Sequence, residues 1–179
     1  MKYNCLAKQR KKILSTLSKS VSHLDGDFVE CGVFIGSTAF YLIKNCKTEM
    51  HLFDSWEGIS NLTDFDGESY KTNKWKCDIS YAENKLKKYT NVLFYKGWIP
   101  SRFKEIEDKQ ISLLHLDVSL YQPTKDSLDF FWDKMIPGGL VICNFHEGYS
   151  IGPEKAVRDF FLNKQELIEY PTGIYVVIK

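Results

Sequence analysis

The chain has almost no net charge: 24 Lys and Arg stand against 23 Asp and Glu, a formal +1. Without an excess of one sign there is no field to draw in nucleic acid or an acidic membrane surface. The short basic stretch Lys8, Arg10, Lys11 and Lys12 is mixed with Leu and Ile and reads as the solvated face of a helix. Long apolar runs are missing too; none approaches the roughly 20 residues of a membrane span. The opening MKYNCLAKQRKK lacks the apolar core of a secretory signal. No internal repeat or low-complexity segment stands out. Cysteine is sparse and unpatterned. Cys5, Cys31, Cys46, Cys77 and Cys143 are odd in number and form neither a CxxC nor a His-spaced zinc pattern. A reduced, cytoplasmic protein is the expectation. What is present is ordinary: 44% hydrophobic and 26% charged residues over 179 positions. That suits a single domain, 1–179, with apolar material for its own core.

Hydrophobic periodicity predicts an amphipathic helix over Ala7 to Val21, with Ile13, Leu14 and Leu17 on one face. Strands are expected at Phe28 to Phe34, Met50 to Trp56, Val92 to Gly97, Ile111 to Ser119 and Leu140 to Phe145. Helical segments alternate with them: one opening at Ser37 and Thr38, then Tyr81 to Tyr89, Ser101 to Glu107, Thr124 to Met135 and Pro153 to Asn163. Pro137 and Gly138 are expected to stop the fourth of these. Leu167 to Tyr170 and Ile174 to Ile178 are separated only by Pro171, Thr172 and Gly173, which implies an antiparallel hairpin. Alternating strands and helices imply an α/β fold, a mostly parallel sheet of seven strands with helices on both faces. Glu57 to Asp78 is polar, aperiodic and long, which suggests a functional loop, read here as a mobile lid.

In such sheets a ligand sits beyond the carboxyl ends of the strands, where the strand order reverses. Three segments fall there. The first strand ends in ECGVFIG, supplying Glu30, Gly32 and Gly36, and Ser37 follows. Gly32 allows a tight turn beside a ligand. A helix opening at Gly36, Ser37 and Thr38 would turn its amides toward an anionic group. Asp54 ends the second strand, placed to accept hydrogen bonds from both hydroxyls of a ribose; a turn or cap role is the plain alternative. Lys96, Gly97 and Trp98 follow the third strand, where the indole could flank an adenine or simply pack. The nicotinamide fingerprint G-x-G-x-x-G fits poorly, because Phe34 stands where it needs Gly.

GDFVECGVFIGSTAFYL, HLFDSWEGI, KGWIPSRF, ISLLHLDVSLYQPTKDSLDFFWDKMIPGGLVICNF and EKAVRDFF resemble the macrocin O-methyltransferase family, sugar O-methyltransferases of antibiotic pathways. The resemblance runs from about Gly26 to Phe161. It implies a Rossmann-like class I methyltransferase fold and S-adenosyl-L-methionine as cofactor. Glu30, Gly32, Gly36, Ser37, Asp54, Gly97, Trp98 and Asp117 are then its expected cofactor-binding residues. The expected partner is a small-molecule acceptor, a sugar or phenol-like hydroxyl compound, rather than nucleic acid or membrane. A homodimer is the default assembly. The family's N-terminal helices are reduced here to one.

The chain departs from the family at the metal. Family members resemble catechol-type enzymes in holding magnesium between a D-x-D after the fourth strand and an Asp-Asp after the fifth. Here those positions read Asp117, Val118, Ser119 and Asn144, Phe145, so one carboxylate of four remains. Magnesium favours several hard oxygen ligands, so no metal is expected. Asp117 and His146 are the catalytic candidates, His146 as a base near neutral pH; a loop histidine without a role is the alternative. His115, inside the fourth strand, reads as a core residue. The rival reading is a non-catalytic domain that binds the cofactor or a partner protein and transfers nothing.

Overall fold

The computed structural model describes residues 2–59, 61–67, 74–145 and 151–179, with side chains from Lys8 onward. Seven strands form one sheet in the order β3-β2-β1-β4-β5-β7-β6. They are β1 Asp27–Cys31, β2 Met50–Asp54, β3 Val92–Lys96, β4 Ile111–Leu116, β5 Met135–Asn144, β6 Ile168–Tyr170 and β7 Ile174–Ile178. Pairing is parallel from β3 across to β5, and β7 runs antiparallel to both β5 and β6. The expected sheet and its terminal hairpin are therefore present.

Burial on both faces lets the central strands carry apolar side chains on both sides of the pleat rather than in alternation with exposed ones. Phe28, Leu52, Leu113 and Ile142 pack on one face with Leu14 of α1 (Lys2–Ser20), Leu42 of α2 (Ala39–Leu42) and Leu86 of α3 (Ser80–Leu86). Val29, Phe53, Leu114 and Val141 pack on the other, with Phe131 of α4 (Tyr121–Phe131) and Phe161 of α5 (Ile151–Phe161). No helix among the described residues is long and apolar enough to cross a membrane. Cys31, Cys46, Cys77 and Cys143 are free thiols.

The boundaries shift for local reasons. β1, β2 and β4 stop two to three residues short of expectation, because Gly32, Ser55 and Asp117 leave the pleat to build loops. Residues 34–38 form turns, and helix begins only at Ala39. The expected helix N-terminus at Gly36 and Ser37 is thus a turn. α4 starts earlier, at Tyr121, since Pro123 is tolerated in a first helical turn. It gives way to a 3-10 turn at Trp132–Lys134. Pro137 and Gly138 do not follow a helix end; they lie within β5 at an irregularity. There Ile111 pairs with Met135 and Leu113 with Leu140, so β5 carries extra residues.

Candidate active site

β1 and β4 are neighbours although one leads left and the other right in the sheet order, so the switch point lies between their carboxyl ends. A cavity of about 560 Å³ opens there, within the roughly 300–1,000 Å³ usual for small-molecule sites. Gly32, Ser37, Asp54, Trp98 and Asp117 are on its wall. Glu30, Gly36 and Gly97 are not among its lining residues.

The floor is built by close backbone approach. Gly32 has φ 87°, and a Cβ there would lie 2.5 Å from the carbonyl oxygen of Asp117. Only glycine lets the loop after β1 cross β4 so tightly. Gly36, at φ 70°, acts differently from expectation: its bare Cα lies against Ala82 and Leu86, seating α3 rather than facing the cavity.

Asp54 is the knot of the two loops. Its Oδ2 accepts from the amides of Val33 and Phe34, both at 2.8 Å, and its Oδ1 from the amide of Trp56 at 2.8 Å. Trp56 Nε1 donates back to the Phe34 carbonyl at 2.8 Å. These bonds hold Phe34 at φ 50°, a left-handed conformation that a non-glycine residue keeps only when its surroundings impose it. A carboxylate offers about four acceptor positions. With three taken by backbone amides, about one acceptor position of Asp54 is left.

Glu30 points away from the cavity. Its side chain is buried in the sheet, 1% exposed, with Oε1 3.1 Å from Nδ1 of the fully buried His115, its register partner on β4. His115, expected as a core residue, is half satisfied: among the described residues neither Glu30 Oε2 nor His115 Nε2 has a hydrogen-bond partner. Burial raises the Glu30 pKa, the His115 bond and charge pull it back, and Asp117 and Asp54 push it up. Burial lowers the His115 pKa, but Glu30 and then Asp117 outweigh it and the net shift is upward. The pair therefore keeps its shared proton more firmly than either group does in water.

At the metal position the residues do not fit magnesium. Asn144 turns its amide nitrogen to Asp117, Nδ2 to Oδ2 3.1 Å, so a donor faces the one carboxylate. Phe145 is buried in the core. Arg10 of α1 reaches the same strand ends, donating Nη2–H to the Phe145 carbonyl and Nε–H to that of Thr172, each at 2.7 Å. Burial lowers the Arg10 pKa and the Asp117 charge opposes that, so a fixed guanidinium lies within electrostatic reach of Asp117. His146 lies outside the described residues.

Sequence reasoning missed Phe34 and Trp75, whose rings line the cavity edge to face at 5.5 Å, and Asp126 and Gln122 on α4. An aromatic stranded in the polar 57–78 loop was the available signal for Trp75. That loop is docked as far as it is described. Asp66, buried, accepts from Thr63 N and Oγ1 at 2.7 Å and from the first amide of α4, Tyr121 N, at 2.6 Å.

At the other end of the sheet, Asp27, Glu49 and His51 stand close enough to share a cation. Lys109 already supplies one, 2.8 Å from Glu49 and 3.9 Å from Asp27, and His51 bridges Asp27 and the Tyr95 hydroxyl. This network is self-contained.

Comparison with solved structures places this fold among methyltransferases. The calicheamicin methyltransferase CalS11 superposes with a TM-score of 0.82 over 96% of this chain and 79% of its own, at 17% identity; its apo structure is described as a TDP-rhamnose 3'-O-methyltransferase. The O-methyltransferase NovP gives 0.72 at 20% identity, covering 95% and 79%. An O-methyltransferase from Bacillus cereus, in complex with SAH, gives 0.63 at 12% identity, covering 96% and 81%. No curated protein sequence matches. The family model described as Macrocin-O-methyltransferase (TylF) matches residues 2–172, which favours an enzyme over the binding-only alternative. The chain belongs to the macrocin-O-methyltransferase family and is an O-methyltransferase.

Proposed function

We propose that the chain binds S-adenosylmethionine in the 560 Å³ cavity and methylates a hydroxyl of a small acceptor, a sugar or phenol-like compound, in the cytoplasm and without a metal. The cavity at the β1/β4 switch point, walled by Asp54 and Asp117, is the observation that carries this reading. The cofactor would supply an electrophilic methyl on a sulfonium, so catalysis is largely alignment of the acceptor. Gly32 and the Val33–Phe34 backbone form its cradle, and Asp54 takes one ribose hydroxyl. Trp98, 41% exposed, and Trp75, 50% exposed, offer ring faces for an adenine. Ser37 and Thr38 remain on the wall, where they suit a carboxylate. The acidic wall complements a sulfonium and an ammonium. Asp117 lies near the methionine end and the acceptor.

The Asn144 amide facing Asp117 supports metal independence, because the carboxylate is already met by a proton donor. A magnesium ion would otherwise acidify the acceptor hydroxyl. Without one, a protein base or an acidic acceptor is needed, and His146 is the base proposed. In a screen of sugars and phenols, methyl transfer should survive excess EDTA and fall in His146→Ala. If EDTA abolishes turnover and magnesium restores it, metal independence is wrong. Survival in EDTA with an unaffected His146→Ala discards only the histidine.

A further inference from the structure

S-adenosylmethionine carries a carboxylate beside its ammonium and sulfonium. Asp54, Asp117 and Asp126 on the cavity wall attract the two cations and repel the carboxylate. Taking that carboxylate out of water needs hydrogen-bond donors or a cation. The helix that opens at Ser37 and Thr38 supplies little. α2 spans four residues, Ala39–Leu42, before a 3-10 turn. So short a helix sums few peptide dipoles.

A side chain from the next helix reaches the same place. A Cβ on Gly36 would lie 3.3 Å from Ala82 and 3.5 Å from Leu86, so the loop after β1 is pressed against α3. Residues three and four apart share a helix face, which puts Lys85 beside Ala82 and next to that loop. Its Nζ donates to Ser37 Oγ at 2.9 Å, and Ser37 is on the cavity wall. On α4 and α5, Lys125 and Lys155 are paired with Asp129 and Asp159 one turn further on. Among the described residues Lys85 is bonded to an uncharged hydroxyl instead. An ammonium has three protons, and this bond uses one of them. The Ser37 hydroxyl, by accepting from Lys85, keeps its own proton to donate. Both groups can therefore donate to a single anion at the wall.

We propose that Lys85 is the counter-ion of the cofactor's carboxylate, held at the cavity by Ser37. This rests on the cofactor reading of the cavity. The wall's carboxylates serve the sulfonium and the ammonium, and Lys85 serves the one group that they repel. Lys85 is a binding residue and sets which amino-acid end the cavity accepts.

The test titrates wild type, Lys85→Met and Lys85→Arg by calorimetry with S-adenosylmethionine and with decarboxylated S-adenosylmethionine, which lacks only the carboxylate. Lys85 is partly exposed, so the variants should melt with the wild type. Lys85→Met should bind S-adenosylmethionine roughly three- to tenfold more weakly. Its affinity for the decarboxylated ligand should be unchanged or higher. Lys85→Arg keeps the charge and should retain most of the wild-type affinity for both. Undiminished binding of S-adenosylmethionine by Lys85→Met overturns the proposal. So does an equal loss for the two ligands, since Lys85 would then act only by seating α3, and so does a loss in Lys85→Arg as large as in Lys85→Met. A wild type that binds neither ligand refutes the underlying cofactor reading instead.

Discussion

An Asp54→Ala protein is expected to bind S-adenosylmethionine roughly ten- to a hundredfold more weakly than wild type. It should also melt at a lower temperature. The two effects share one cause. The Asp54 carboxylate accepts three backbone amides, from Val33, Phe34 and Trp56. Alanine leaves those donors without their acceptor and releases Phe34 from its left-handed conformation. Hydrogen bonds to a charged group are worth about 1.5–3 kcal/mol each, and partial exposure here reduces that. A total of about 2–4 kcal/mol would lower the melting temperature by roughly 4–16 °C in a chain of this size. Asp54→Asn is the informative companion: its oxygen can still serve Val33 and Phe34, but its NH2 then faces the Trp56 amide. An intermediate loss is expected. A folded Asp54→Ala protein with unchanged melting and unchanged affinity would remove Asp54 from both roles.

Glu30→Ala should be the most destabilising single change in the sheet. It strips His115 of the one hydrogen-bond partner it has among the described residues and leaves both ring nitrogens buried without one there. Breaking a buried ionisable pair from one side costs about 3–5 kcal/mol. That corresponds to a fall in melting temperature of roughly 6–20 °C. Replacing both partners with leucine should recover much of the loss, because no unpaired polar group is then left inside. The pair also sets a pH dependence. Both groups have folded pKa values raised above their ordinary 4.5 and 6.5, so the folded state holds a proton that the unfolded chain releases. Its contribution is complete below pH 4.5 and is lost as pH rises through the pair's raised values. Chemical denaturation at several pH values reads this directly, and the double leucine variant should lose that component of the slope. A Glu30→Ala protein within 1 kcal/mol of wild type, or a double variant no better than the single, would show that the pair is not structural.

The sheet, the terminal hairpin and the place of the site were legible because they depend on period and punctuation. Runs such as FVEC and ISLLHL, apolar on both sides of the pleat apart from Glu30, Ser112 and His115, suit strands buried on both faces of a covered parallel sheet. Asp54 was found by position and a turn role was named as its alternative, but which three backbone amides it accepts leaves no trace in residue identity. Glu30 and His115 lie 85 positions apart. Each looks like a site residue or a core residue alone, and only strand register brings them together. Gly36 was taken for ligand contact when its partner is α3. Trp75 and Asp126 were hidden for the opposite reason: one sits in a loop without period, the other on a helix whose rotation is fixed by packing. Pro137 misled because a proline and two glycines after a helical pattern usually mark an end, whereas here they lie inside β5, near its start, at a bulge.

Calorimetric titration of the wild-type chain with S-adenosylmethionine in EDTA tests the cofactor assignment most directly. A one-to-one isotherm is expected without metal. S-adenosylhomocysteine should bind more weakly, since it lacks the positive sulfonium that a wall carrying Asp54, Asp117 and Asp126 would attract, and NAD should not compete. Absence of S-adenosylmethionine binding, binding only when magnesium is added, or a preference for NAD would contradict the assignment.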